Sequence, residues 1–320
     1  MGGTTAATRP PEPDFSTVTA EELRAHSDAE NRWRASGAAR ALLGEPDPGA
    51  AIGWRRVPLP GRELPVRVYR PVPAGGGGAG TRTGLPLVVH VHGGGFVGTA
   101  VQCDWSNSHL AARLPALVVS VEHRLLAPGS PFANAADDGW DVLRHVVRHA
   151  ARWGVDPARA AVLGESCGAL ISALTAVRAR EAGLGLEAQV LVNPVVDVTG
   201  TMLDHPSIAE HAYDPTPVLP QLRLIQRLAV LPGADARAVS PLYQDDLGGL
   251  APALVVTPTR DALADHGRRY AERLRAAGTP VRLSEYPGAR HAFLTLPGVE
   301  PQAEAARAEI LEFLRAALTK

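Results

Sequence analysis

The sequence predicts an α/β protein, a mostly parallel sheet with helices on both faces, and two observations carry that prediction. Short apolar runs rich in β-branched residues recur at Leu87–Val91, Ala116–Val121, Ala160–Leu163, Ala188–Val192 and Ala253–Val256; each reads as a strand buried on both faces. Between them lie stretches of helical spacing. Trp140, Leu143, Val147 and Trp153 follow one, and Ala306, Ile310, Phe313 and Ala317 line one face of a C-terminal helix. Strand and helix in alternation make a parallel sheet covered on both sides.

Taken in chain order, residues 1–18 begin Pro- and Gly-rich and are expected to be a frayed tail. Thr19-Ala-Glu-Glu22 fits a capping box, which predicts a helix running past Trp33. A second helical stretch precedes Gly44. From Trp54 to Pro60 and from Leu64 to Tyr69 apolar residues alternate around a Pro-Gly-Arg turn, the pattern of a hairpin at a sheet edge. Ala74–Gly84 holds four consecutive glycines without a GxxxxGK[ST] pattern, so a flexible loop is expected there. The strand–helix alternation follows. Val198–Val239 interrupts it with many prolines and a short helix around Leu222–Leu228, and reads as an inserted cap. One domain spanning 19–320 is expected, its cap formed by about 19–50 and 198–239.

Gly164-Glu-Ser-Cys-Gly168 matches G-x-S-x-G directly after one predicted strand and directly before an Ala/Leu/Ile-rich helical stretch. Small residues at both ends permit a sharp strand-to-helix turn that exposes a serine hydroxyl, here Ser166, at a helix N-terminus. His92-Gly-Gly-Gly-Phe96 follows the strand Leu87–Val91, where three glycines let backbone N–H groups approach a substrate oxygen. The expected oxyanion donors are Gly94, Gly95 and the N–H of Cys167. A serine hydroxyl needs a base, and the base an acid to orient it. Asp261 follows the strand Ala253–Val256, and His291 follows the alternating stretch Val281–Tyr286 and the turn Pro287-Gly288. The order Ser166, Asp261, His291 is that of the α/β-hydrolase fold. Asp265 is the competing acid, but it lies inside the helix expected from about Ala262; His205, His211 and His266 lie in helix or cap.

On these residues the chain resembles the hormone-sensitive-lipase-like family of α/β hydrolases, which includes bacterial carboxylesterases. The resemblance runs from about Thr19 to the C-terminus. It rests on His92–Phe96, Gly164–Gly168, His123-Arg-Leu-Leu-Ala-Pro128, Ser240-Pro241-Leu242 and the Asp261 and His291 loops. The chain departs from the family pattern at Glu165 and Cys167, where Asp and Ala are usual, and at Ala262 and Ala292, where Pro and Gly are usual. The resemblance implies a helical cap over an acyl pocket, small or medium acyl groups, and a homodimer through the last strand and helix. Phe96, Trp105, Met202, Ile208, Tyr213 and Leu224, which border the oxyanion loop or lie in or near the cap, are the candidate substrate-binding residues.

Composition narrows the chemistry further. Every basic residue but Lys320 is arginine, so no internal lysine can form a Schiff base or serve a P-loop. A net charge of -1 provides no basic field for nucleic acid, and no apolar run is long enough to cross a membrane. Cys103 and Cys167 form no disulfide framework and lack metal-ligand spacing, which suits a reducing, cytoplasmic setting. No cofactor or metal is required. The expected activity is hydrolysis of a small-molecule carboxylic ester through an acyl-enzyme. An alcohol or amine taking the acyl group would instead make the chain an acyltransferase or cyclase, and a ligand receptor on this fold is the third alternative.

Overall fold

The structure, a computed structural model, describes residues 8–72, 84–213 and 218–319. Its centre is an eight-stranded sheet in the order β1-β2-β4-β3-β5-β6-β7-β8. β1 (Ala50–Leu59) and β2 (Arg62–Pro71) form the edge hairpin, turning at Pro60-Gly61, where Gly61 has a φ of 71°. On its outer face Trp54 pairs with Arg67 across the strands, the guanidinium 5.2 Å from the ring centre. β2 is antiparallel to β4 (Leu117–Val121). The rest are parallel: β3 (Leu85–Val91), β5 (Val155–Glu165), β6 (Ala188–Val192), β7 (Ala253–Arg260) and β8 (Val281–Arg290). β4 and β6 are buried along their whole length, as continuous apolar runs require when helices cover both faces.

The helices are α1 (Ala20–Arg34), α2 (Arg40–Leu43), α3 (Asp104–Arg113), α4 (Phe132–Arg148), α5 (Ala150–Trp153), α6 (Cys167–Glu181), α7 (Pro206–His211), α8 (Leu219–Leu228), α9 (Ala264–Ala276) and α10 (Ala303–Leu318). The Thr19 capping box opens α1: the Thr19 hydroxyl accepts the Glu22 N–H, and the Glu22 carboxylate accepts the Thr19 N–H at 2.9 Å. α6 follows the turn at Ser166 and is buried on nearly all sides, so its small and branched residues show almost no polar face.

Two sequence expectations need correction. Residues 8–18 do not fray: Phe15 is buried with its ring centre 5.1 Å from that of Phe96, and Arg9 pairs with the buried Glu30 at 3.1 Å. One aromatic ring with an apolar surface to cover anchors a segment whose composition alone reads as tail. Trp153 does not continue α4, since the chain breaks at His149 and Trp153 closes the separate turn α5. Apart from Gly84, the glycine-rich loop lies outside the described residues.

The strand order reverses at β3, which lies between β4 and β5. In open α/β sheets such a switch point opens a crevice at the carboxyl ends of the strands. The loops after β3 and β5 leave side by side there, because Val91 pairs with Gly164. The register between β7 and β8 pairs Arg260 with Arg290, which makes Asp261 and His291 neighbours at the same end of the sheet.

Candidate active site

Ser166 occupies the turn between β5 and α6 with φ 53° and ψ −119°, a region that L-residues rarely adopt. The flanking glycines are there because the turn is tight. A Cβ on Gly164 would strike the Gly168 carbonyl, and one on Gly168 would strike the carbonyls of Val91 and His92. The turn is anchored by the Ser166 N–H donating to the Val192 carbonyl at 2.9 Å and by the Val195 N–H donating to the Ser166 carbonyl at 3.2 Å.

The Ser166 Oγ is 2.9 Å from His291 Nε2, and His291 Nδ1 is 2.8 Å from Asp261 Oδ2. Asp261 is buried, and its other oxygen accepts the Leu263 N–H at 2.9 Å. Both carboxylate oxygens are therefore engaged, which fixes the imidazole tautomer with its proton on Nδ1 and a lone pair toward the serine. Burial opposes a charge on His291. The facing Asp261 carboxylate, by charge and hydrogen bond, and Glu165 behind it outweigh that penalty and raise the imidazole above its ordinary pKa. The competing acid, Asp265, is committed elsewhere: it accepts the Ser207 N–H at 2.9 Å and pairs with Arg268 at 2.9 Å.

The glycine loop lies against this chain of three side chains. Gly93, Gly94, Gly95 and Cys167 line the same cavity as Ser166 and His291. Two of the loop carbonyls, those of Gly93 and Gly95, are held by hydrogen bonds. His92 Nδ1 donates to the Gly93 carbonyl at 3.0 Å, Gln102 Nε2 donates to it at 3.3 Å, and the Leu126 N–H donates to the Gly95 carbonyl at 2.8 Å. Gly94 has φ 108°, and a side chain there would strike the Val97 carbonyl. Cys167 is the first residue of α6, so its N–H belongs to the helix's unpaired set. Its thiol is pushed up to about 12 by burial and is not a thiolate at neutral pH.

The cavity measures about 360 Å³. None of the six apolar and aromatic candidates for substrate contact lines it. Phe96, Met202, Ile208 and Leu224 are buried in the main core, Trp105 packs in the core beneath the opposite sheet face under the Arg307 guanidinium 3.6 Å away, and Tyr213 is 69% exposed. The wall is built instead from Val97, Val195, Val218, Leu222, Ile225 and Leu296, with Arg34, Gln102, His211 and Gln221 as polar members. The signal missed was helical phase. Leu222 and Ile225 sit three apart on the cavity face of α8, and Leu224 points into the core behind it.

Ala292, directly after His291, has φ 61° and ψ 21°, a left-handed conformation natural to glycine. The departure from His-Gly-Phe therefore costs backbone strain without moving the imidazole.

Comparison with known proteins agrees with this geometry. A family model for the alpha/beta hydrolase fold matches residues 88–295. The chain is 38% identical over 266 residues to carboxylesterase NlhH of Mycobacterium tuberculosis, covering 80% of this chain and 79% of that relative. It is 34% identical over 240 residues to esterase LipI of the same species, covering 73% of each. Among solved structures it is similar to the thermostable carboxylesterase EstE1 from a metagenomic library, with a TM-score of 0.81 at 30% identity over 94% of this chain and 98% of the other. The turn at Ser166, the glycine loop beside it and these likenesses lead to one assignment: the chain belongs to the hormone-sensitive-lipase-like carboxylesterase family of α/β hydrolases.

Proposed function

We propose that the protein hydrolyses carboxylic esters of small or medium acyl groups, with Ser166 as nucleophile, His291 as general base and Asp261 as the group that orients the base. The observation that carries this reading is the hydrogen-bonded chain from Ser166 through His291 to Asp261, opening into a cavity of about 360 Å³. Ser166 Oγ attacks the ester carbonyl as His291 Nε2 takes its proton, and the C–O bond to the alcohol breaks as the same proton passes to the leaving oxygen. Water then repeats the sequence on the acyl-enzyme. The N–H groups of Gly94, Gly95 and Cys167 hold the oxyanion, each contributing on the order of 10² to 10³ in rate. The cavity volume lies near the lower end for ligand sites, which supports short acyl chains.

Acyl transfer to another alcohol or amine is not favoured, since the relatives named above are esterases. No helix of the described residues is long and apolar enough to cross a membrane. The two free, buried thiols support a cytoplasmic enzyme, and β8, one of the two edges of the sheet, with α10 beside it is the face on which we place a homodimer contact. Turnover of a p-nitrophenyl ester series from acetate to decanoate tests the reading. Activity should peak at short chains in the native protein and vanish in Ser166→Ala; appreciable turnover by that variant would reject it.

A further inference from the structure

Beside the turn at Ser166, three side chains of mixed chemistry converge. Glu165 of β5, His90 of β3 and Cys103 at the head of α3 are each buried, and one ligand atom from each lies within 4.8 Å of the other two. The Glu165 Oε1 is 3.6 Å from His90 Nε2 and 3.7 Å from Cys103 Sγ. The first distance is too long for a hydrogen bond. His90 Nε2 and Glu165 Oε2 have no hydrogen-bond partner among the described residues. Unpartnered polar atoms at this burial call for an occupant.

We propose that His90, Cys103 and Glu165 form a three-ligand site for a thiophilic divalent cation, with zinc as the type, and that its occupancy slows ester turnover. The spacing supports this. Bonds of about 2.0–2.3 Å around a tetrahedral ion separate its ligand atoms by about 3.3–3.8 Å, and two edges of that size are already in place. Imidazole nitrogen, thiolate sulfur and carboxylate oxygen together select zinc or cadmium over magnesium or calcium. The other ring nitrogen of His90 is 2.8 Å from the Ser120 hydroxyl, an outer contact that aims Nε2 at the cluster. Glu165 also lines the catalytic cavity, the side from which an ion would reach the buried cluster.

Burial and the neighbouring carboxylate push the Cys103 thiol well above its ordinary pKa, so the ion must displace the proton. The S–H bond breaks, a sulfur–metal bond forms, one proton leaves to solvent and no electron is transferred. The local charge rises by one unit close to His291, which must become positive during acylation. Ester turnover should fall on the order of tenfold or more.

The test uses the full chain, stripped with chelator, in thiol-free buffer. Titration with cadmium chloride is followed by the ultraviolet thiolate-to-cadmium absorption, and titration with zinc chloride by p-nitrophenyl acetate turnover. One cadmium equivalent should produce the band; Cys103→Ala and His90→Gln should abolish it and the zinc inhibition, while Cys167→Ser keeps the band. Ser120→Ala, a mild change that leaves the ligands in place, should weaken binding about tenfold. Absence of the band, its loss in Cys167→Ser instead, or zinc inhibition that persists in Cys103→Ala and so lies on His291 would each overturn the site. The cadmium readout needs no ester hydrolysis, so its failure is distinct from failure of the esterase reading.

Discussion

Ser166 holds a backbone conformation that costs on the order of 1–3 kcal/mol, sustained because Gly164 and Gly168 let the turn close. On the proposed mechanism Ser166→Ala should lower kcat about 10⁶-fold while leaving the circular dichroism spectrum and unfolding midpoint nearly unchanged. In the proposed mechanism His291 must be neutral to take the serine proton. Because Asp261 raises its pKa, the acidic limb of kcat/KM should lie above pH 6.5, the ordinary histidine value. Asp261→Asn should lower kcat about 10⁴-fold and move that limb to lower pH, which a pH–rate profile reads directly. Ala292 gives a stability prediction: Ala292→Gly relieves a left-handed alanine and should raise unfolding free energy by up to about 1 kcal/mol in urea melts. That Ser166, Asp261 and His291 come together was legible in the sequence, because each follows a strand signal in the order the fold demands. The strain at Ala292 was not, since φ is decided by how the loop closes.

Among the elements, α8 contributes Gln221, Leu222 and Ile225 to the cavity wall. Leu222 and Ile225 face the cavity, while Leu224, on the same short helix, is 3% exposed in the core. Ile225→Ala should enlarge the cavity and shift the ratio of kcat/KM for hexanoate over acetate upward about tenfold, measured on the p-nitrophenyl series. Leu224→Ala should instead destabilise the fold by about 2–5 kcal/mol without a comparable shift in chain preference. The strands and main helices were readable from apolar runs, capping residues and turns. The phase of α8 was not, because its apolar residues are spread over both a core face and a cavity face, and periodicity does not distinguish one apolar surface from the other.

At the scale of the whole molecule, buried neutral histidines link stability to pH. Burial and the neighbouring His205 lower His266 to about 4, and burial also lowers His92 and His123. The unfolded chain takes up these protons first, so stability is full above about pH 6.5 and falls as the pH drops toward 4. His266 alone accounts for roughly 3 kcal/mol of that loss. Urea melts between pH 7 and 4 should show the decline, and His266→Gln should flatten it; an unchanged slope in the variant would refute the linkage.

By itself the sequence determined the strand–helix order, the sharp turns and the residue types able to carry acyl chemistry, because these follow from local periodicity, small residues and short motifs. Only the tertiary structure decided that Phe15 anchors the N-terminal segment, which face of α8 lines the cavity, and that His90, Cys103 and Glu165 meet. Those outcomes depend on contacts between residues far apart in the chain, and these are set by sheet register and helix rotation, quantities that no local pattern encodes.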